Sequence, residues 1–208
     1  MAEELIPGVE WLGFVGGLLG LSISIPQIAR VISTKSYVGV STSTWLIFTT
    51  MAAGWFAYGF NVDSISQIVT NFISAAATGV LSVLLLRQWM HVWLGSALVL
   101  ALWVGGFCLV RFSSPLVGAI FLGIGLCSRL PQLVESFLSM QRARNTAVSR
   151  TAFTLMLTSS TCWIFYGAIS GQVTVFWFSL VTVTMSLLII CFETVARRRF
   201  AARVSLEK

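Results

Sequence analysis

Two tryptophans open the same phrase, Trp-x-x-Tyr-Gly: Trp55-Phe-Ala-Tyr58-Gly59 and Trp163-Ile-Phe-Tyr166-Gly167. An indole offers a flat apolar face with one N–H handle. Asn71, sixteen residues after Trp55, offers an amide that donates and accepts at once. Groups of this kind hold a ligand that has apolar faces and a polar rim, and they break no bond. Residues suited to covalent chemistry are scattered. Glu135, Arg129 and His91 make no carboxylate pair, Ser/Lys dyad or metal cluster. The expectation is a binding chemistry with no catalysis, cofactor or metal.

The elements that must position these residues follow from composition. Apolar residues make up 57% of the chain and charged residues 10%. Mean hydropathy is +0.90, far outside soluble composition. Apolar stretches near the roughly 20 residues needed to cross a bilayer predict seven spans, at about 10–31, 43–61, 66–87, 92–111, 115–138, 151–170 and 173–194. The connections leave no length for a soluble domain. Glu3, Glu4 and Glu10 precede or open the first span without a basic residue, so it is expected to be retained rather than cleaved. Cys108, Cys127, Cys162 and Cys191 all fall within spans and are expected to pack as small apolar residues.

With the N-terminus outside, eleven of the thirteen Lys and Arg residues fall on inner loops or the tail: Arg30, Lys35, Arg87, Arg142, Arg144, Arg150, Arg197, Arg198, Arg199, Arg203 and Lys208. Arg111 alone lies outside and Arg129 lies within the fifth span. This bias predicts an N-out, C-in topology. The net charge of +6 is then a topology signal, to which anionic head groups add an attraction for Arg197–Arg199. Nucleic acid is not an expected partner.

The chain also repeats. At an offset of 105, Gly13, Gly20, Leu21, Pro26 and Gln27 fall on Gly118, Gly125, Leu126, Pro131 and Gln132. After a three-residue insertion the offset is 108, and Val40-Ser41, Thr50, Trp55, Tyr58 and Gly59 fall on Val148-Ser149, Thr158, Trp163, Tyr166 and Gly167. Three spans end on the far side of the membrane from where they began, and a fourth restores the starting orientation. The layout expected is therefore a 3+1+3 parallel repeat: 1–90, a linker span 91–112, 113–196, and a basic tail 197–208. A solute would sit at the interface of the two units, near the midplane.

The 3+1+3 plan, the paired Pro-Gln and the Trp-x-x-Tyr-Gly phrases resemble the PQ-loop superfamily. Within it the chain is most similar to the SWEET (MtN3/saliva) sugar transporters. The resemblance covers nearly the whole chain and implies a pocket lined by residues of the second and third helices of each unit. It carries onto Trp55 and Asn71 and, at the 108 offset, onto Trp163 and Ser179, where a hydroxyl replaces the family's second amide. It also implies an outer gate at Tyr58 and Tyr166, with Asp63 and Gln172 near enough to bond to them.

Pro26 and Pro131 each remove a backbone hydrogen bond and crowd the preceding turn. They are expected to act as hinges for the inner halves of spans 1 and 5, with Gln27 and Gln132 satisfying the freed backbone. Arg129, two residues before Pro131, is a charge in mid-span whose repeat counterpart is neutral Ser24. It should face the cavity or a partner, Glu135 being the nearest acid, and it would favour an anionic solute. His91, between Trp89 and Trp93, is expected to anchor at the membrane interface. The Gly13/Gly17 and Gly16/Gly20 pairs should let span 1 pack closely within its own bundle.

Lys35 and Lys208, the only lysines, lie outside the membrane, which excludes a retinal Schiff base. The function expected is facilitated diffusion of a small neutral solute, a mono- or disaccharide, by alternating access through the plasma or inner membrane. The alternatives are transport of an amino acid or other charged metabolite, and a receptor on the same scaffold. A monomer suffices, and an oligomer is compatible.

Overall fold

A computed structural model describes residues 7–37, 40–142 and 150–206; Glu3, Glu4, Arg144, Val148, Ser149 and Lys208 of the sequence reading lie outside them. The described chain forms eight helices: α1 (Pro7–Thr34), α2 (Thr42–Asn61), α3 (Ile65–Leu86), α4 (Val92–Phe112), α5 (Pro115–Cys127), α6 (Leu130–Arg142), α7 (Arg150–Ile169) and α8 (Val173–Leu206). Serines start three of them. The hydroxyls of Ser41, Ser64 and Ser114 accept from the N–H groups of Thr44, Gln67 and Val117, filling donors that a helix start leaves orphaned. Six stretches are long and apolar enough to cross a membrane: α1, α3, α4, α5 with α6, α7, and α8. The predicted stretch 43–61 is the 20-residue α2, whose run of Thr and Ser at its start lowers its hydropathy.

The two prolines have different consequences. Pro26 lies inside a continuous α1, whereas the fifth span is broken at Ser128-Arg129, where the chain turns with Ser128 N–H bonded to the Gly125 carbonyl and Arg129 N–H to that of Leu126. Pro131 falls in the first turn of α6, where its missing N–H costs nothing. Neither Gln27 nor Gln132 makes a side-chain hydrogen bond among the described residues, so neither repairs the backbone as expected. The described part of the basic segment expected as a tail, residues 197–206, is helical. It continues α8, which at 1.5 Å per residue is about 51 Å long, and Arg199 donates to the Met140 carbonyl near the end of α6.

The interior mixes small and polar side chains with a few large apolar ones, and the surface is apolar. α3 buries Ser66, Gln67, Thr70, Ala75, Thr78, Gly79 and Ser82 beside Leu81, Leu85 and Leu86, while Leu18, Ile65, Phe72, Leu100 and Leu116 face outward. Lipid gives apolar side chains no reason to hide, so close backbone approach and buried hydrogen bonds hold the helices instead. Three of the four cysteines are exposed and Cys162 is half-buried, all as free thiols, so packing does not account for them as expected.

α3 packs between α1 and α2, and α8 packs against α5, α6 and α7; α1 meets α7, α2 meets α5, and α4 bridges α2, α3 and α5. Each pairing of the first three helices thus has its counterpart among the last four. The glycines of α1 divide between these neighbours. A Cβ on Gly13 or Gly17 would collide with Ser66 or Thr70 of α3, but one on Gly16 would stand 3.0 Å from the Trp163 indole nitrogen and one on Gly20 3.3 Å from Ser159 Oγ. Only the first pair packs on α3; the second faces α7, where the Ser159 hydroxyl donates to the Gly16 carbonyl at 2.7 Å.

The corners that join α2 to α3 and α7 to α8 match residue for residue. Ser64 N–H bonds the Gly59 carbonyl at 3.0 Å, and Gln172 N–H bonds the Gly167 carbonyl at 2.9 Å. Asp63 (φ 50°) and Gly171 (φ 69°), 108 apart, both hold the left-handed conformation that the turn demands. The glycine of each Trp-x-x-Tyr-Gly phrase sits against the next helix. A Cβ on Gly59 would lie 2.9 Å from Ile68 N, and one on Gly167 would lie 2.7 Å from Phe176 N.

Candidate functional site

Between the paired helices lies a cavity of about 270 Å³. The helix placements bring Trp55 (α2), Asn71 (α3), Trp163 (α7) and Ser179 (α8) onto its wall together with Arg129 from the α5–α6 break. Gly16, Gly17 and Gly20 of α1 and Gly125 of α5 give the wall its backbone surface. Ser24, the repeat counterpart of Arg129, also lines it.

The polar groups divide into committed and available. Thr70, Thr78 and Thr182 donate to carbonyls one turn back in their own helices. Asn71 donates through Nδ2 to the Gln67 carbonyl at 2.9 Å, which leaves its Oδ1 as an acceptor. The hydroxyls of Ser24, Ser74, Ser160 and Ser179 make no hydrogen bond among the described residues. The cavity therefore presents two indoles, an amide oxygen and several uncommitted hydroxyls, an arrangement suited to a hydroxylated ring.

One end is shut. Trp55, Tyr58, Trp163 and Tyr166 pack in one cluster with Val9, Leu12 and Val175. Each Trp meets its Tyr edge to face, at 5.4 Å in one phrase and 5.2 Å in the other. The buried Tyr166 hydroxyl lies 2.9 Å from Glu10 Oε1 and 2.6 Å from Ser64 Oγ, and it accepts from Gln172 Nε2 at 3.1 Å. The other oxygen of Glu10 accepts the Ser66 N–H at 2.6 Å, and Gln67 Nε2 donates to Gln172 Oε1. This network ties α1 and α3 to α7 and α8.

Of the four residues expected at a gate, Tyr166 and Gln172 bond to each other as expected. Tyr58 faces Thr174. Asp63 is exposed and makes no side-chain hydrogen bond among the described residues; its backbone turns the corner, the task of Gly171 in the other unit. Glu10 and Gln67 belong to the same network and were not among the residues expected there. The one available signal was an acid inside the first span, and its partners lie 56 and 156 residues away.

Arg129 does not pair with Glu135, which is exposed and accepts from Ser139 Oγ at 3.3 Å. Its guanidinium carbon lies 5.9 Å from the Phe178 ring centroid, and Phe178 meets Trp55 edge to face at 4.8 Å. His91 is exposed at the start of α4, beside exposed Trp89 and Trp93, as an interfacial anchor would be. Among the described residues no group of His, Cys, Asp and Glu is placed to hold a metal.

No protein-family model and no curated protein matches the sequence. The fold is similar to that of a eukaryotic SWEET transporter solved at 3.7 Å resolution, with a TM-score of 0.68 over 91% of this chain and 99% of that one, at 14% sequence identity. The likeness establishes the fold, an all-helical membrane protein that crosses the bilayer several times.

Proposed function

We propose that this chain, sharing the fold of a SWEET transporter, is a carrier that moves a small hydroxylated solute, a mono- or disaccharide, by alternating access. The observation that carries the reading is the cavity itself. It lies where the two sets of helices meet, is lined by an indole from each, and is shut at one end by hydrogen bonds that cross between the sets. In this reading α2 also crosses and α5 with α6 counts as one, which makes seven spans. The units are residues 1–90 and 113–196, related by an axis along the membrane normal, with α4 as linker. The matched corners and the matched helix pairings support that division.

The basic residues at the ends of α1, α3, α6 and α8 favour an N-out, C-in topology, which puts the Glu10–Tyr166 latch outside and makes this the outward-closed form. Pro26 and the break before Pro131 are the flexible points of the two first helices. No carboxylate lines the cavity among the described residues, so nothing there couples transport to protons, and facilitated diffusion follows. No step is catalytic.

Uptake of labelled glucose and sucrose into liposomes holding the purified protein, with and without a pH gradient, tests the reading. The expected result is sugar uptake that ignores the gradient. Asn71→Ala, which removes the amide oxygen and keeps the helix, should lower it about tenfold, as for one hydrogen bond of 1–1.5 kcal/mol. Uptake of no sugar, neutral or acidic, sinks the proposal.

A further inference from the structure

The charge inventory of the cavity points further. Its wall holds one cation, Arg129, and no Asp, Glu, Lys or His among the described residues. Arg129 Nε is buried with no hydrogen-bond partner among the described residues, and the guanidinium lies over the face of Phe178. The other unit carries neutral Ser24 at the equivalent position, so the repeat does not require a charge there. A charge in mid-span is costly, and it is normally retained with a partner or for a ligand. Here the described residues supply no hydrogen-bonding or acidic partner.

We propose that the solute of this cavity is a sugar acid, a hydroxylated ring bearing one carboxylate, and that Arg129 binds that carboxylate. The inference rests on the carrier reading above and replaces its neutral sugar with an acidic one. A guanidinium matches a carboxylate with two parallel hydrogen bonds, a geometry an ammonium cannot offer. The inventory is selective in both directions. A dianion such as a sugar phosphate would bring a second charge with no second cation to meet it, and an amino acid would bring an ammonium with no acid to meet it. A neutral sugar would leave Arg129 buried and unpaired. The volume of about 270 Å³ lies just under the roughly 300–1,000 Å³ of drug-sized sites, which favours one ring over two. With the carboxylate at Arg129, the ring lies along Phe178 and Trp55, and its hydroxyls meet Asn71 Oδ1 and the Ser179 hydroxyl.

The test is uptake of radiolabelled glucuronate and glucose by the full-length protein in liposomes held at zero membrane potential. Glucuronate is expected to enter faster than glucose. Arg129→Gln should lower the glucuronate-to-glucose uptake ratio tenfold or more, as for loss of a charged hydrogen bond, with Arg129→Lys between the two. Glucose uptake without glucuronate uptake overturns the inference and leaves the carrier reading standing; uptake of neither overturns both. A ratio unmoved by Arg129→Gln in a folded variant also overturns it. Should that variant not fold, thermal melting of the wild-type protein decides: glucuronate must raise its melting temperature more than glucose does, and an equal or smaller rise sinks the inference.

Discussion

Replacing Tyr166 with Phe is expected to release the shut end of the cavity. The phenol has one proton to give and stands within hydrogen-bond reach of Glu10 Oε1 and Ser64 Oγ, while Gln172 Nε2 donates to the phenol oxygen. Without the hydroxyl, Glu10 Oε1 and Gln172 Nε2 each lose a partner in a largely buried place. At about 1–1.5 kcal/mol for each, the balance between closed and open forms shifts roughly 30–150-fold. The ring of Phe still fills the Tyr166 site, so the packing against Val9 and Val175 survives. A cysteine placed at Ser179 in a cysteine-free chain reports the change, since a membrane-impermeant thiol reagent should label it much faster in the Phe variant. Equal labelling rates would mean that the latch does not hold this end closed.

The second large effect concerns stability. Gly167→Ala should lower the melting temperature in detergent, because its Cβ would stand 2.7 Å from Phe176 N, 3.1 Å from Phe176 Cα and 3.2 Å from the Gln172 carbonyl oxygen. These are backbone atoms of the next helix and of Gln172 just before it, which cannot rotate away as a side chain can. Overpacking of this kind costs about 1–3 kcal/mol. Gly59→Ala meets Ile68 N at 2.9 Å and should behave likewise, somewhat more mildly. Gly105 and Gly123 have nothing within 4 Å of an added Cβ, and Ala there should be neutral or stabilising through helix propensity. If all four alanines melt alike, the glycine-to-backbone contact is not what the repeated phrase preserves.

These glycines show where the sequence was legible. The phrase Trp-x-x-Tyr-Gly repeats because each of its residues has a place that the fold offers twice: the Trp lines the cavity, the Tyr packs on the Trp and the Gly admits the next helix. Two copies of one solution leave an offset that can be counted. Apolar run length located most of the helices because a bilayer of fixed thickness sets a minimum length for each crossing. Contacts made once and at long range left no such trace. Glu10 could be read only as an acidic flank, because its partners Ser66 and Tyr166 belong to helices far along the chain. Gln67 and Gln172 find each other 105 residues apart, and neither sits in a local pattern.

Other differences have local causes. Asp63 looked like a polar gate residue by position, but a left-handed turn is its task, one that Asp tolerates better than most residues. The two prolines were legible as a pair and not in their outcomes, since whether a helix continues through Pro26 or breaks before Pro131 depends on what its neighbours supply. Hydropathy ends the last span near residue 194, yet alanine and arginine are good helix formers, so α8 runs on to Leu206.

The hydrogen bond from Ser159 to the Gly16 carbonyl spans 143 residues of chain, and the one from Tyr166 to Glu10 spans 156. At synthesis rates of about 5–20 residues per second, the first helix waits roughly 7–30 s for these partners to be made. The α2–α3 and α7–α8 corners close within a handful of residues and can form as soon as they emerge. During that interval α1 offers lipid the Gly16/Gly20 face and a carboxylate without its phenol. The nascent protein is therefore vulnerable at α1, and quality control that senses polar groups in the bilayer would find its target there until α7 arrives.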